Sequence, residues 1–214
     1  MSNQGYHIPV LLKEVKNEVP LLDRGIYVDA TFGSGGHSQA ILSIISKKSK
    51  LFPVDFILAD LGLSSHHIET DIRGFSFMSD VPLDMRMNQE QQINAKEILN
   101  NFSEDELIQI FRNYGNVPFA KSLAHDIVNS RKTKPIKTSS ELNDLALKYI
   151  LKGKEFKNLA KVYQALRIAV NNEVDNLKML IDEAYKSLNP GGKLCIITFN
   201  SLEDQIVKNE LRKK

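Results

Sequence analysis

The stretch Gly25-Ile26-Tyr27-Val28-Asp29-Ala30-Thr31-Phe32-Gly33-Ser34-Gly35-Gly36-His37-Ser38 decides the fold. A short β-branched and aromatic run, opened by a glycine, leads straight into a loop that holds three more glycines. Ala40, Ile41, Leu42, Ile44 and Ile45 then supply an apolar side before the polar stretch Ser46 to Lys50. The order reads as strand, glycine loop, helix. Such a loop lets backbone N–H groups approach a ligand, while the helix N-terminus favours anionic or polar groups. The spacing Gly33-x-Gly35-Gly36 lacks the third glycine of a dinucleotide fingerprint and the Lys-Ser or Lys-Thr of a phosphate loop. By itself it is read either as a nucleoside-cofactor site or as a plain tight turn.

Working outward, Val54-Asp55-Phe56-Ile57-Leu58-Ala59 is nearly continuous in apolar residues, as a buried parallel strand is, and Asp60-Leu61-Gly62 closes it. Asp60 therefore stands at the carboxyl end of a buried strand, where open α/β sheets bind ligands. It is placed to meet a cofactor or a substrate amine, or to cap the following turn. From Ser64 to Asn88 an ordered loop is expected, anchored by Phe75, Phe77, Leu83, Met85 and Met87. Residues from about Asn94 to Leu151 read as helical: Ser103 with Glu106, and Thr138 with Glu141, have the spacing of capping boxes. Apolar positions at three- and four-residue spacing predict one long helix from about Lys161 to Leu188. Asn189-Pro190-Gly191-Gly192 stops it, Lys193 to Phe199 is a further strand, and Ser201 begins a last helix. The economical architecture is an α/β core over 1–90 and 156–214 with a helical subdomain inserted at 91–155.

Composition narrows the function. The 214 residues carry 28 Lys and Arg against 26 Asp and Glu, a net charge of +2, so any nucleic-acid contact must come from a local patch. Cys195 is the only cysteine, which excludes an intramolecular disulfide and multi-cysteine metal sites. His7, His66 and His125 lack ligand spacing with any acidic cluster, so no metal is expected. No apolar run approaches the roughly 18 residues of a membrane span, and the N-terminal residues do not read as a signal peptide. The expected home is the cytoplasm.

Seven stretches together resemble one family. They are His7-Ile8-Pro9-Val10-Leu11-Leu12, Val28 to Ser38, Ile57 to Ser65, Arg73-Gly74-Phe75-Ser76-Phe77, Pro82-Leu83-Asp84-Met85-Arg86-Met87, Tyr163 to Asn171, and Phe199 to Asp204. In order and content the chain resembles the RsmH/MraW family, the bacterial small-subunit (16S) ribosomal RNA cytosine-N4 methyltransferases. The resemblance implies a class I, Rossmann-like fold that uses S-adenosylmethionine. It implies Gly35, Gly36, His37, Asp60 and His67 as cofactor contacts, with Asp29 near the cofactor's ammonium. It also implies methyl transfer to a cytosine amine, with Asp60 as the catalytic acceptor of that amine's hydrogens, and 16S ribosomal RNA or the small subunit as partner. Asp84, Arg86 and Asn200 are candidates for substrate or loop positioning, or equally a structural ion pair and a helix cap. Lys121, Arg131, Lys132, Lys134 and Lys137 could face phosphates or only solvent.

Only six residues, Lys48 to Pro53, separate the first helix from the strand that ends in Asp60. A strand with its crossover needs at least about 10 to 12, so the family's second and third strands have no room. The chain also ends after the helix beyond strand five, so a reduced sheet is expected. The rival to an active enzyme is a truncated relative that retains RNA binding without catalysis.

Overall fold

The computed structural model describes Val15 and residues 17–19, 25–30, 53–61 and 72–214. Among them, β1 (Tyr27–Asp29), β2 (Val54–Asp60) and β3 (Leu188–Ile197) form one parallel sheet in the order β1-β2-β3. Val54, Phe56, Ile57 and Ala59 of the middle strand are buried, which accounts for its near-continuous apolar sequence. A doubly wound sheet runs 3-2-1-4-5-6, and its central neighbours 1-4-5 are the order reproduced here. This is the centre of a Rossmann-like sheet.

The helices are α1 (Ala95–Asn101), α2 (Glu104–Gly115), α3 (Ala120–Arg131), α4 (Ser139–Leu147), α5 (Glu155–Asn171), α6 (Glu173–Ser187) and α7 (Ser201–Leu211). The Ser103 and Glu106 box starts α2: the Glu106 carboxylate accepts from the Ser103 amide at 2.7 Å, and the Glu106 amide donates to Ser103 Oγ at 3.3 Å. Glu141 in the same way accepts from the Thr138 amide at the start of α4.

Two expectations are corrected. The predicted helix from Lys161 to Leu188 is two helices, because Asn172 adopts the left-handed region (φ 50°) and ends α5, with its amide donating back to Ala169 and Ile168. Pairing in β3 begins at Leu188 rather than Lys193: Val54 faces Leu188 and Phe56 faces Lys193, so β2 advances two residues while β3 advances five. Asn189-Pro190-Gly191-Gly192 bulges out between these rungs, with Gly191 at φ 83°. The helical elements α1 to α5 form one compact unit. Among the described residues it spans 72–176, and the rest belong to the sheet unit. Leu83 and Met85 from the loop, and Val162, Tyr163 and Leu166 from α5, share one core with Leu107, Phe111, Leu123 and Leu142. The loop is as ordered as expected over 72–88, since Pro82 bridges Thr138 and the Leu83 amide donates to Lys137 at 3.0 Å.

The sheet unit has its own core, in which Val54, Ile57 and Ala59 join Leu177, Leu180, Ile181 and Ala184 of α6. Among the described residues, no helix is long and apolar enough to cross a membrane.

Candidate active site

The carboxyl end of the sheet brings several polar groups together. β1 ends in Asp29, whose neighbour Ala30 donates to the Leu58 carbonyl at 2.7 Å. β2 ends in Asp60, paired with Ile197 of β3, and the next amide, Leu61, donates to the Ile197 carbonyl at 3.0 Å. Asn200 follows three residues after Ile197. Its side chain accepts from the amides of Leu202 and Glu203, so it caps α7, and Glu203 in turn accepts from the Phe199 amide at 2.8 Å.

Within this well-satisfied edge one atom stands out. Asp60 Oδ1 is buried and accepts no hydrogen bond among the described residues. A buried carboxylate oxygen without a donor costs roughly 1–3 kcal/mol or more, and a ligand amine or ammonium removes that cost. A donor-bearing cofactor or substrate would satisfy this oxygen; the turn that Asp60 would otherwise cap lies outside the described residues. The other expected cofactor contacts, Gly35, Gly36, His37 and His67, lie outside the described residues.

Asp84 and Arg86 belong to the helical unit. Arg86 grips Asp84 with Nε at 2.6 Å and Nη2 at 2.9 Å, and its Nη1 donates to the carbonyls of Gln89 and Gln91. This fork holds the Asp84 carboxyl below the usual carboxylate range. The pair therefore staples its own loop. Three of the five cations expected on the insertion are also engaged: Arg131 with the Leu99 carbonyl, Lys132 with Asn129, and Lys134 with Glu141 at 2.6 Å. Cys195 is partly buried in β3, and that burial pushes its thiol up. No group of three or more His, Cys, Asp or Glu is arranged to hold a metal among the described residues.

A second cluster was missed by sequence reasoning. Phe156, at the start of α5, is 69% exposed and is flanked in sequence by the exposed Lys152, Lys154 and Lys157, which form no ion pair among the described residues. Read as a helix position, Phe156 looks like core. The signal that marks it is charge: from Lys148 to Lys161 five lysines stand against the single acid Glu155.

Comparison with known proteins agrees with this architecture. The model of the MraW methylase family matches residues 4–55 and 44–214. The ribosomal RNA small subunit methyltransferase H of Cytophaga hutchinsonii is 41% identical over 243 residues, covering 95% of this chain and 82% of that protein. Its counterpart in Christiangramia forsetii is 39% identical over 245 residues (97% and 81%), and that of Phocaeicola vulgatus 39% over 249 (99% and 82%). An alignment of 243 residues against a chain of 214 leaves at least 29 positions (243 − 214) opposite no residue of this chain. The family model's two matches meet at 44–55, the interval where sequence reading found no room for two strands.

Proposed function

Since the chain belongs to the MraW methylase family, we propose that it methylates the exocyclic N4 of a cytidine in small-subunit (16S) ribosomal RNA near the decoding site, acting in the cytoplasm. Bound S-adenosylmethionine supplies an electrophilic methyl group on a sulfonium. Gly35, Gly36, His37 and His67 would hold it together with Asp60. The cytosine amine is a weak nucleophile because its lone pair is shared with the ring, so positioning and acceptance of its hydrogens carry the catalysis. The N–H becomes acidic only as the new N–C bond forms, and Asp60 Oδ1 takes that hydrogen bond and then the proton. The target base leaves its stack to reach the site. Asp84 and Arg86 position a substrate-side loop through their mutual fork, and Asn200 positions the sheet edge by capping α7.

The observation that carries this reading is the buried Asp60 Oδ1 at the end of the middle strand, which has no donor among the described residues. The test is calorimetry with S-adenosylmethionine, followed by methyl transfer to unmethylated small subunits and digestion of the RNA to identify the modified nucleoside. Wild-type protein is expected to give heat and N4-methylcytidine, and D60N to lower transfer by about 10²- to 10⁴-fold. Well-folded protein that gives neither overturns the reading. The shortfall of at least 29 aligned positions favours a second reading, RNA retention without catalysis. Salt-sensitive RNA binding without cofactor heat would establish it.

A further inference from the structure

The helical unit carries a cleft of about 400 Å³ lined by Phe75, Phe77, Met78, Phe156, Tyr163 and Arg167. Phe77 is its centre: it meets Phe156 edge to face at 5.1 Å and Tyr163 at 5.5 Å. Phe156 and Met78 are 69% and 73% exposed, an unusual state for two large apolar side chains in one place. The cations around them are set in two ways. Arg73 lies over the Phe75 ring at 5.2 Å, and Arg167 is held by both carboxylate oxygens of Glu173 at 2.8 and 2.9 Å. Lys152, Lys154 and Lys157 flank Phe156 in sequence, are exposed, and spend no charge on a carboxylate among the described residues.

One open aromatic ring at the rim of an aromatic cleft, flanked in sequence by exposed, uncommitted lysines, matches the chemistry of a single-stranded nucleic acid. A base stacks on the ring and the flanking phosphates meet the lysines. An apolar protein partner has no use for three unpaired lysines. We infer that this cleft is a second RNA subsite, in which Phe156 stacks an unpaired base of the substrate strand and Lys152, Lys154 and Lys157 hold the adjoining phosphates. The inference rests on the reading of the substrate as RNA. It adds a contact point on the helical unit.

Fluorescence anisotropy of a labelled single-stranded RNA of about 12 nucleotides, with the full chain, tests it. F156A is expected to weaken binding about 5- to 100-fold, the worth of one stacked base, and F156Y to bind like wild type. The triple variant K152Q/K154Q/K157Q is expected to lower the slope of log affinity against log salt by about 2. F156A loses only its edge-to-face contact with Phe77, so it should stay folded by circular dichroism and melt no more than a few degrees below wild type. Equal RNA affinities for wild type and F156A overturn the inference, as does a wild-type protein that retains no RNA. Methyl transfer on the same preparations separates the two claims. Transfer that persists while RNA affinity ignores Phe156 removes this subsite and leaves the enzyme, whereas Phe156-dependent affinity without transfer supports the subsite and removes the enzyme. If F156A loses affinity for whole small subunits but not for the RNA, the face meets a ribosomal protein and the inference fails.

Discussion

Asn171 shows how much one side chain can organise. It is 7% exposed, accepts from the Met87 amide at 2.8 Å, and donates to the carbonyls of Met85 at 2.8 Å and Arg167 at 2.9 Å. Met85 is fully buried at a positive φ of 59°, a conformation that costs a non-glycine residue roughly 1–2 kcal/mol, so the loop needs such anchoring. N171A strands the Met87 amide and the Met85 carbonyl. It is expected to destabilise the protein by about 2–4 kcal/mol, measured as a lower urea midpoint at unchanged slope. Sequence alone marks Met85 as an apolar anchor and places Asn171 in a family motif. It cannot join them, because their contact spans 86 residues and exists only once α5 is packed.

Among the elements, those with local causes are the ones sequence reading finds. The capping box at Ser103 fixes where α2 starts, since both partners lie within one turn. The break at Asn172 is hidden, because apolar spacing continues across it and only the left-handed backbone reveals the stop. The reach of the helical unit is hidden for the same reason: Leu83 and Met85 look like loop anchors until their partners on α1 to α5 are known. The pairing of α2 with α5 rests on Gly115. A Cβ there would lie 2.3 Å from the Lys161 carbonyl oxygen and 2.9 Å from the Ala165 side chain. Neither neighbour is a flexible tip, so G115A must push the two helices apart. A loss of about 1–3 kcal/mol is expected from overpacking, read as a drop in melting temperature.

At the scale of the whole molecule, the parallel order β1-β2-β3 keeps the centre of a doubly wound sheet. The Asp60 end of it was legible because strand, position and residue type are all local. The bulge in β3 was not, since register depends on the partner strand. That bulge is fastened by Asp55, five residues before Asp60 on the same strand. Asp55 accepts from the Ile26 amide at 2.9 Å on the β1 side and from Asn189 Nδ2 at 2.7 Å on the β3 side. These bonds, the Ile26 amide first, hold its carboxyl below the usual carboxylate range. A folded value below the unfolded one, about 3.9, means the clamp contributes fully above that pH and fades as pH falls through the folded value. The stability difference between wild type and D55N, followed by urea unfolding, is therefore expected to be present at neutral pH and to shrink in acid. One strand thus carries two carboxylates with opposite obligations: Asp55 has both oxygens committed to scaffolding, and Asp60 keeps one in reserve. The consequence is separable genetics. Lesions at Asp55 should yield scarce protein of normal specific activity, and lesions at Asp60 abundant protein that does no work.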